Sequence, residues 1–393
     1  MTRTYRVGVV GMGVAGATVA TLMARSGHDV TLFERAPRVG PVGAGILLQP
    51  SGQLVLDRLG LLDRVAEHAE PIDELHAITS RGRTLIRLAY AEIEPGCRAL
   101  GVHRKVLFEA IHREVRERGI RVFLGHEIRT RRVDADMVVI LDSAGGEHGP
   151  FDFLVVADGS RSALRAGTRL VRWRHEYGYG SLWTIGPNAD LRHKLLQVVR
   201  GTRVLLGLLP TGEGQCSLFW SLRNDEKEIL WRAGFEAWRA TVIGLCPPAE
   251  PLFDVLKSFD DIAYVRYQHV VMKSCHDDHA IFLGDAAHAM SPHLGQGSNL
   301  ALIDALVFCG CLDRADDFQS AFRQYAGLRR NHLRYYAWVT LLLTPFFQSD
   351  GLIKGIGRDI ALPIMTHIPP VRRQMLVTLS GLKKGLFGGK LTI

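Results

Sequence analysis

Three short runs, far apart in the chain, carry residue types that suit one binding task. The first is Gly11-Met12-Gly13-Val14-Ala15-Gly16, with Glu34-Arg35 downstream. The second is Asp158-Gly159-Ser160-Arg161-Ser162-Ala163-Leu164-Arg165. The third is Gly284-Asp285-Ala286-Ala287-His288, followed by Pro292-His293 and Gly295-Gln296-Gly297-Ser298-Asn299. Glycines at these spacings let backbone come close to phosphates or to a flat ring. Acids at the ends of apolar runs can hold sugar hydroxyls. The chemistry in prospect is the binding of a dinucleotide.

The elements around each run support that reading. Arg6–Val10 reads as a buried strand, and the apolar run 14–23 as a helix. Gly11 then permits the tight turn, Gly13 the approach of a pyrophosphate, and Gly16 the packing of helix on strand. Val14 and Ala15 open the helix, whose free N–H groups and dipole face the phosphates. A second strand over 29–33 ends at Glu34, 23 positions after Gly11 and about where a ribose-binding acid belongs. That acid favours free ribose hydroxyls over a 2′-phosphate, so the site takes NAD or the ADP half of FAD. The strands expected over 153–157 and 280–283 stop at Asp158-Gly159 and Gly284-Asp285, which suits a cofactor lying across strand ends. Alone, either pair reads equally as a β-turn.

Together, in this order, the runs resemble the class A flavoprotein monooxygenases. These are the single-component FAD hydroxylases related to para-hydroxybenzoate hydroxylase and salicylate hydroxylase. The resemblance covers residues 6 to 340. The family's DGxxSxxR pattern is met by Asp158, Gly159, Ser162 and Arg165, and its GDAAH…P..GQG.N pattern from Gly284 to Asn299. Gly43-Ala44-Gly45-Ile46 resembles the loop beside the flavin, and Val102-His103-Arg104 the family's arginine segment. The resemblance implies that Glu34, with Arg35 beside it, binds the adenosine ribose. It assigns Asp285 to the ribityl chain, Arg104 to the linking chain, and Asp158-Gly159 to FAD and NAD(P)H. Arg104 also reads as a surface helix arginine, although a helix start gathers anions. His288 belongs to the motif and reads as a packed, hydrogen-bonded histidine.

The segment 295–299 precedes an apolar helix over 300–308. Its glycines allow contact with a flat ring, and the helix-start N–H groups suit the charge that a reduced flavin develops. Pro292 fixes the approach of the chain and, by the resemblance, lies near the oxygen-reacting edge of the flavin. His293 stands where many relatives have another residue. It is either a base for a phenol or a loop side chain.

The 393 residues allow two good cores, and 47% hydrophobic content is ordinary for a globular chain. The six cysteines show no CxxC pair and no metal spacing, so no metal is expected. With no signal peptide and no run of membrane-span length, a cytoplasmic location is expected. No motif points to nucleic acid.

The expected fold is α/β. A Rossmann-like FAD-binding domain is built from residues 1–74, 100–170 and 276–340, with an inserted β-sheet substrate domain from 75–99 and 171–275 and a helical C-terminal segment over 341–393. In the substrate domain, period-two alternation puts Tyr177, Tyr179 and Trp183 on one face. In the strand 215–222, Trp220 and Phe219 take opposite faces. Singly these aromatics read as sheet core; as a group they imply an apolar, aromatic substrate. No clamp of paired arginines for a carboxylate is visible.

The resemblance implies an FAD-dependent monooxygenase, either a monomer or a homodimer. NADH or NADPH reduces FAD, O2 adds at flavin C4a to give a hydroperoxide, and its distal hydroxyl passes to the substrate. Only one GxGxxG is present, so NAD(P)H binds without a Rossmann domain of its own. Two other readings stay open: an FAD-dependent reductase that inserts no oxygen, and a non-catalytic FAD-bound ligand-binding protein. From residue 350 onward seven Lys and Arg face two Asp, or +5 of the chain's +8. This tail, with Phe346, Phe347, Leu352, Ile353, Ile356 and Leu386, could make weak contact with a membrane surface. Packing on the protein is the favoured expectation, because these residues are spread among glycines and prolines with no long amphipathic stripe.

Overall fold

Five apolar runs, each ended by a polar or glycine residue, are too short for buried helices and form strands, buried on both faces except at the exposed edge Arg121–Leu124. In the computed structural model, which describes residues 3–38, 40, 44–188, 191–385 and 389, they make one five-stranded parallel sheet. Gly43, Leu386 and Lys390 lie outside the described residues. The spatial order is Ala280–Phe282, Phe153–Val156, Arg6–Val10, Asp29–Glu34, Arg121–Leu124. Val10 pairs with both Val156 and Phe33, and Val156 pairs with Phe282. This register levels the carboxyl ends of four strands, so Gly11, Glu34, Asp158 and Gly284 emerge along one edge. From the first strand the chain continues to one side and later returns on the other. A crevice at such a switch point is where doubly wound sheets bind ligands.

Helices Val14–Arg25, Arg104–Glu117 and Gly297–Leu312 cover one face, burying Val19, Met23 and Phe308 among others. Gly297–Leu312 is apolar nearly all round because it is the central helix, packed between Val14–Arg25 and Phe318–Phe347. An antiparallel sheet of Ile128–Asp134, Met137–Asp142 and Glu147–Phe151 covers the other face, setting Val138 and Ile140 against the strand residues.

A seven-stranded sheet forms a separate layer, in the order 263–272, 171–187, 215–223, 204–212, 194–200, 74–79, 84–89. All neighbours are antiparallel except 194–200 with 74–79. Gly45–Leu48, Ala99–His103 and Glu70–Ile72 make a small sheet that joins the two layers. The approach is close: a Cβ on Gly101 would sit 1.9 Å from the Pro210 carbonyl oxygen.

The C-terminal segment departs from expectation. Helix Phe318–Phe347 runs unbroken through residue 340, where a boundary was expected, and Leu352–His367 and Pro369–Leu379 follow. The absence of an apolar stripe is corrected. In Leu352–His367 the residues Gly355, Arg358, Leu362 and Thr366 face the protein, while Ile353, Ile356, Ile360 and Ile364 line the exposed side. The glycines of this helix do not break it. Gly355 lies where the helix rests against Thr202, with a Cβ there only 3.3 Å from Thr202 Cγ2.

Candidate active site

The first glycine run is built as its spacing requires. Gly11 has φ +97, and a Cβ there would lie 2.3 Å from the Ala157 carbonyl oxygen. A Cβ on Gly16 would lie 1.8 Å from the Gly11 carbonyl oxygen, so helix and strand touch through that glycine. A Cβ on Gly13 would meet nothing within 4 Å, which leaves open space where a pyrophosphate would come. Val14 and Ala15 start the helix beside it. Glu34 accepts from the backbone N–H of Met12 at 2.8 Å and of Ala36 at 2.9 Å. The acid therefore ties the glycine loop to the end of its own strand. Arg35 is exposed next to it.

The second and third runs are stitched together by Arg165. Its buried guanidinium donates to the carbonyls of Ala286 at 2.8 Å, Asp285 at 3.3 Å and Ser160 at 2.5 Å. Asp158 Oδ2 accepts from the N–H of Ala163, while its buried Oδ1 has no partner among the described residues. Burial raises the Asp158 pKa. Gly159 has φ +85 with open space beyond its Cα. Gly284, at φ +57, donates its N–H to Asp304 at 2.9 Å. Asp304 also accepts from His288 Nε2 at 2.5 Å and Arg329 Nε at 2.8 Å. His288 is thus packed and hydrogen-bonded. The sequence reading missed Asp304 and Arg329, which hold the turn at Asp285. An acid inside the apolar run 300–308 was the signal for them, because a buried charge needs partners.

In the segment 295–299, Gly295 takes φ +61, and helix Gly297–Leu312 begins with its first N–H groups at the cavity edge. Two side chains of this segment are engaged by the protein itself. The Asn299 side chain accepts from Gln49 N–H and donates to the carbonyls of Leu47 and Gly295, so it clamps two loops and has no donor left for a cofactor. Gln296 donates through Nε2 to the Leu379 carbonyl at 2.8 Å, which ties this loop to the C-terminal segment. Both side chains are buried, and local spacing could not reveal their distant partners.

Between the two layers lies a cavity of about 310 Å³. From the nucleotide side come Gly45, Arg104, Asp285, Pro292, His293, Gly295, Gly297 and Ser298. The seven-stranded sheet contributes Trp183 and Phe219, whose rings meet edge to face at 4.9 Å. Leu75, Leu195, Leu205 and Leu209 add apolar wall, and Tyr267, unnoticed in the sequence, adds a buried hydroxyl. Arg104 is the single cation among the described lining residues. The other three expected aromatics do not reach this lining. Trp220 turns to the opposite face of the sheet and packs on Trp238. Tyr177 bonds His269 Nδ1 at 2.9 Å, and Tyr179 reaches toward Asp350 at 3.5 Å.

His293 is half-buried in the cavity wall, in a short turn begun by Pro292. Its Nδ1 lies 2.8 Å from Ser291 Oγ, and Ser291 Oγ lies 2.9 Å from Thr344 Oγ1. Thr344 donates to the Thr340 carbonyl at 2.7 Å. If every proton is used, Ser291 donates to Thr344, and His293 Nδ1–H donates to Ser291. His293 Nε2 is then a bare acceptor, buried and without a partner among the described residues. Burial lowers the His293 pKa to about 4.

Away from the cavity, His126, Asp142 and His148 bring their ligand-type atoms within 4.8 Å of one another. Asp142 Oδ2 meets both histidines, and Oδ1 accepts from Ala144 and Gly146 N–H. Four donors satisfy this carboxylate without an ion.

The FAD-binding domain family model matches residues 4–313. The chain is 30% identical to the 3-amino-4-hydroxybenzoate 2-monooxygenase of Streptomyces cremeus over 368 residues, covering 83% of this chain and 84% of that one. It is 28% identical to the aurachin C monooxygenase/isomerase of Stigmatella aurantiaca, over 82% of this chain and 84% of that one. Among solved structures, Klebsiella pneumoniae HpxO complexed with FAD and uric acid superposes with a TM-score of 0.80 at 21% identity, covering 97% of this chain and 98% of that one. That last likeness bears on the fold alone. With the family model spanning most of its length and relatives named as monooxygenases aligned across it, the chain belongs to the FAD-binding domain family and, within it, to the FAD-dependent monooxygenases.

Proposed function

We propose that the chain hydroxylates an apolar, aromatic small molecule carrying an ionisable ring hydroxyl, with NADH or NADPH as reductant. The observation that carries this reading is the unpartnered His293 Nε2, buried among Trp183, Phe219 and leucines in the cavity. A phenol would satisfy it. One relative is named for an aminohydroxybenzoate, itself a phenol. Arg104, the single lining cation among the described residues, lies on the same wall as Asp285, so these residues offer no paired-arginine clamp for a substrate carboxylate.

The residues present fit FAD. The open space at Gly13 and Gly159, and the unpartnered Asp158 Oδ1, lie along the edge where the strands end. In this reading Gly11–Gly16 and Glu34 hold the ADP half, Asp285 holds hydroxyls of the linking chain, and Arg104 neutralises a phosphate. The N–H groups at the start of Gly297–Leu312 would stabilise negative charge on a reduced flavin held in this cavity. Bound FAD supplies hydride acceptance from NAD(P)H and transfer of one oxygen atom from O2. His293 Nε2 accepts a hydrogen bond from the substrate's hydroxyl and, as the ring is attacked, its proton, which enriches the ring. The Ser291–Thr344–Thr340 chain holds the imidazole in the tautomer that can do so. The apolar wall keeps water out while the reactive flavin waits for substrate.

The domain division proposed here assigns residues 1–74, 100–170 and 276–340 to FAD and 75–99 and 171–275 to substrate. The buried cysteines Cys216, Cys246, Cys309 and Cys311 form no disulfide among the described residues, which supports a cytoplasmic location.

The test is a screen of phenolic compounds for stimulated NAD(P)H consumption, followed by turnover under ¹⁸O2. One labelled oxygen atom should appear in the product for each NAD(P)H used with a good substrate. Stimulated consumption with unlabelled product would return the assignment to a reductase. Binding without stimulation would leave a ligand-binding protein.

A further inference from the structure

Most surface helices turn apolar residues inward. Helix Leu352–His367 does the reverse with a large part of its circumference. Leu352, Ile353, Ile356, Ile360, Ile364 and, just past its end, Ile368 are between 42% and 85% exposed. Their spacing keeps the isoleucines on one side over sixteen residues, roughly 24 Å of helix. The neighbouring helix Phe318–Phe347 exposes Trp338 and Leu342 near its end. An exposed apolar side running along a whole helix marks an interaction surface.

The helix is held firmly from beneath, so the exposure is built in. Arg358 is buried and donates to the carbonyls of Gly201 and Phe346 and to Asp359. Leu362 packs inward as well. No helix among the described residues is long and apolar enough to cross a membrane, and this one is too short to do so.

The charges around the face choose its occupant. Of the two acids from residue 350 onward, Asp359 is paired with Arg358, and Asp350 with Arg203 and Arg223. Lys354 and Arg373 stay exposed, whereas Arg372 is spent on Glu92 and Lys383 is buried against Gln374. An apolar stripe with a cationic rim suits an anionic bilayer surface. A second copy would bring two like-charged rims together.

We infer that Leu352–His367 is an in-plane docking helix for anionic lipid, seating the enzyme on a membrane surface. It leads directly into Pro369–Leu379, whose last residue lines the cavity. The docked face and the cavity wall therefore share one stretch of chain.

The experiment is sedimentation of the full-length holoenzyme with vesicles of phosphatidylcholine alone or mixed with phosphatidylserine, at low and at physiological salt. The holoenzyme should pellet with the anionic vesicles and less so as salt rises. Lys354→Ala should weaken binding about fivefold at low salt. An Ile353→Glu/Ile360→Glu variant should abolish binding while its flavin absorbance and melting temperature stay those of the parent, since both side chains are exposed. Failure to pellet with anionic vesicles at low salt overturns the inference. If equilibrium sedimentation then finds a dimer that the double variant splits, the face belongs to a second copy of the chain.

Discussion

His293→Ala should lower turnover of a phenolic substrate by roughly 10²–10⁴-fold, the range expected for loss of a general base. FAD content should not change, because the imidazole's one hydrogen bond is to Ser291 and the glycine run at 11–16 does not rest on it. The pH profile separates a base from a bystander. Burial lowers the His293 pKa to about 4, so the free enzyme holds it neutral, and competent as a base, at every pH above that value. The wild-type kcat/KM should therefore show an acid limb near pH 4 and no His293 titration between pH 6 and 8. The limb should vanish in the alanine variant. A limb near the ordinary histidine value of about 6.5 would instead indicate a solvated ring. Thr344→Val gives a sharper check. It removes the hydroxyl that fixes the Ser291 proton but leaves His293 in place. The rate should fall with KM nearly unchanged, because only the tautomer balance is disturbed. If neither variant alters rate or profile with any phenol that is turned over, His293 is a loop residue.

Glu34→Ala should weaken FAD by about 1.5–3 kcal/mol, the worth of charge-assisted hydrogen bonds. That corresponds to roughly 10–150-fold in Kd. The geometry adds a second source to this loss. Both carboxylate oxygens already accept backbone N–H groups, from Met12 and Ala36, so alanine also frees the glycine loop. Glu34→Gln keeps one carbonyl oxygen for these donors and should fall between wild type and alanine. Equilibrium titration of the apoprotein with FAD measures all three. Purified protein should be yellow, with flavin released by denaturation, since no covalent attachment motif is evident. A colourless protein that takes up no FAD at micromolar concentration would falsify the reading as a whole.

Reading the chain by spacing worked where chemistry is local. The glycines at 11, 13 and 16 and the Asp-Gly and Gly-Asp pairs at 158 and 284 shape backbone turns within a few residues, and the acid at 34 ends the strand beside them. Their spacing alone names the turn, the strand end and the cofactor class. The parallel sheet was legible for the same reason, since short apolar runs ending at Gly or Asp leave few alternatives. Which side chains meet across the fold was not legible. Trp220 and Phe219 are neighbours in sequence, and only the layer packed on each face decides that Phe219 sees the cavity and Trp220 sees Trp238. Asn299 and Gln296 sit in a cofactor motif, yet the Asn299 amide is held by Gln49 and Leu47 and Gln296 Nε2 by Leu379, partners far away in sequence. The bare Nε2 of His293 depends on Thr344, 53 positions away from Ser291. The apolar stripe of Leu352–His367 is written in the sequence at helical spacing, but spacing does not say which side of a helix the protein covers. Sequence determined the dinucleotide site, because backbone turns are short-range, and its resemblance to the flavin hydroxylases supplied the cofactor and the reaction class. The tertiary structure decided burial, proton direction and exposed face, because each depends on which distant residues pack alongside.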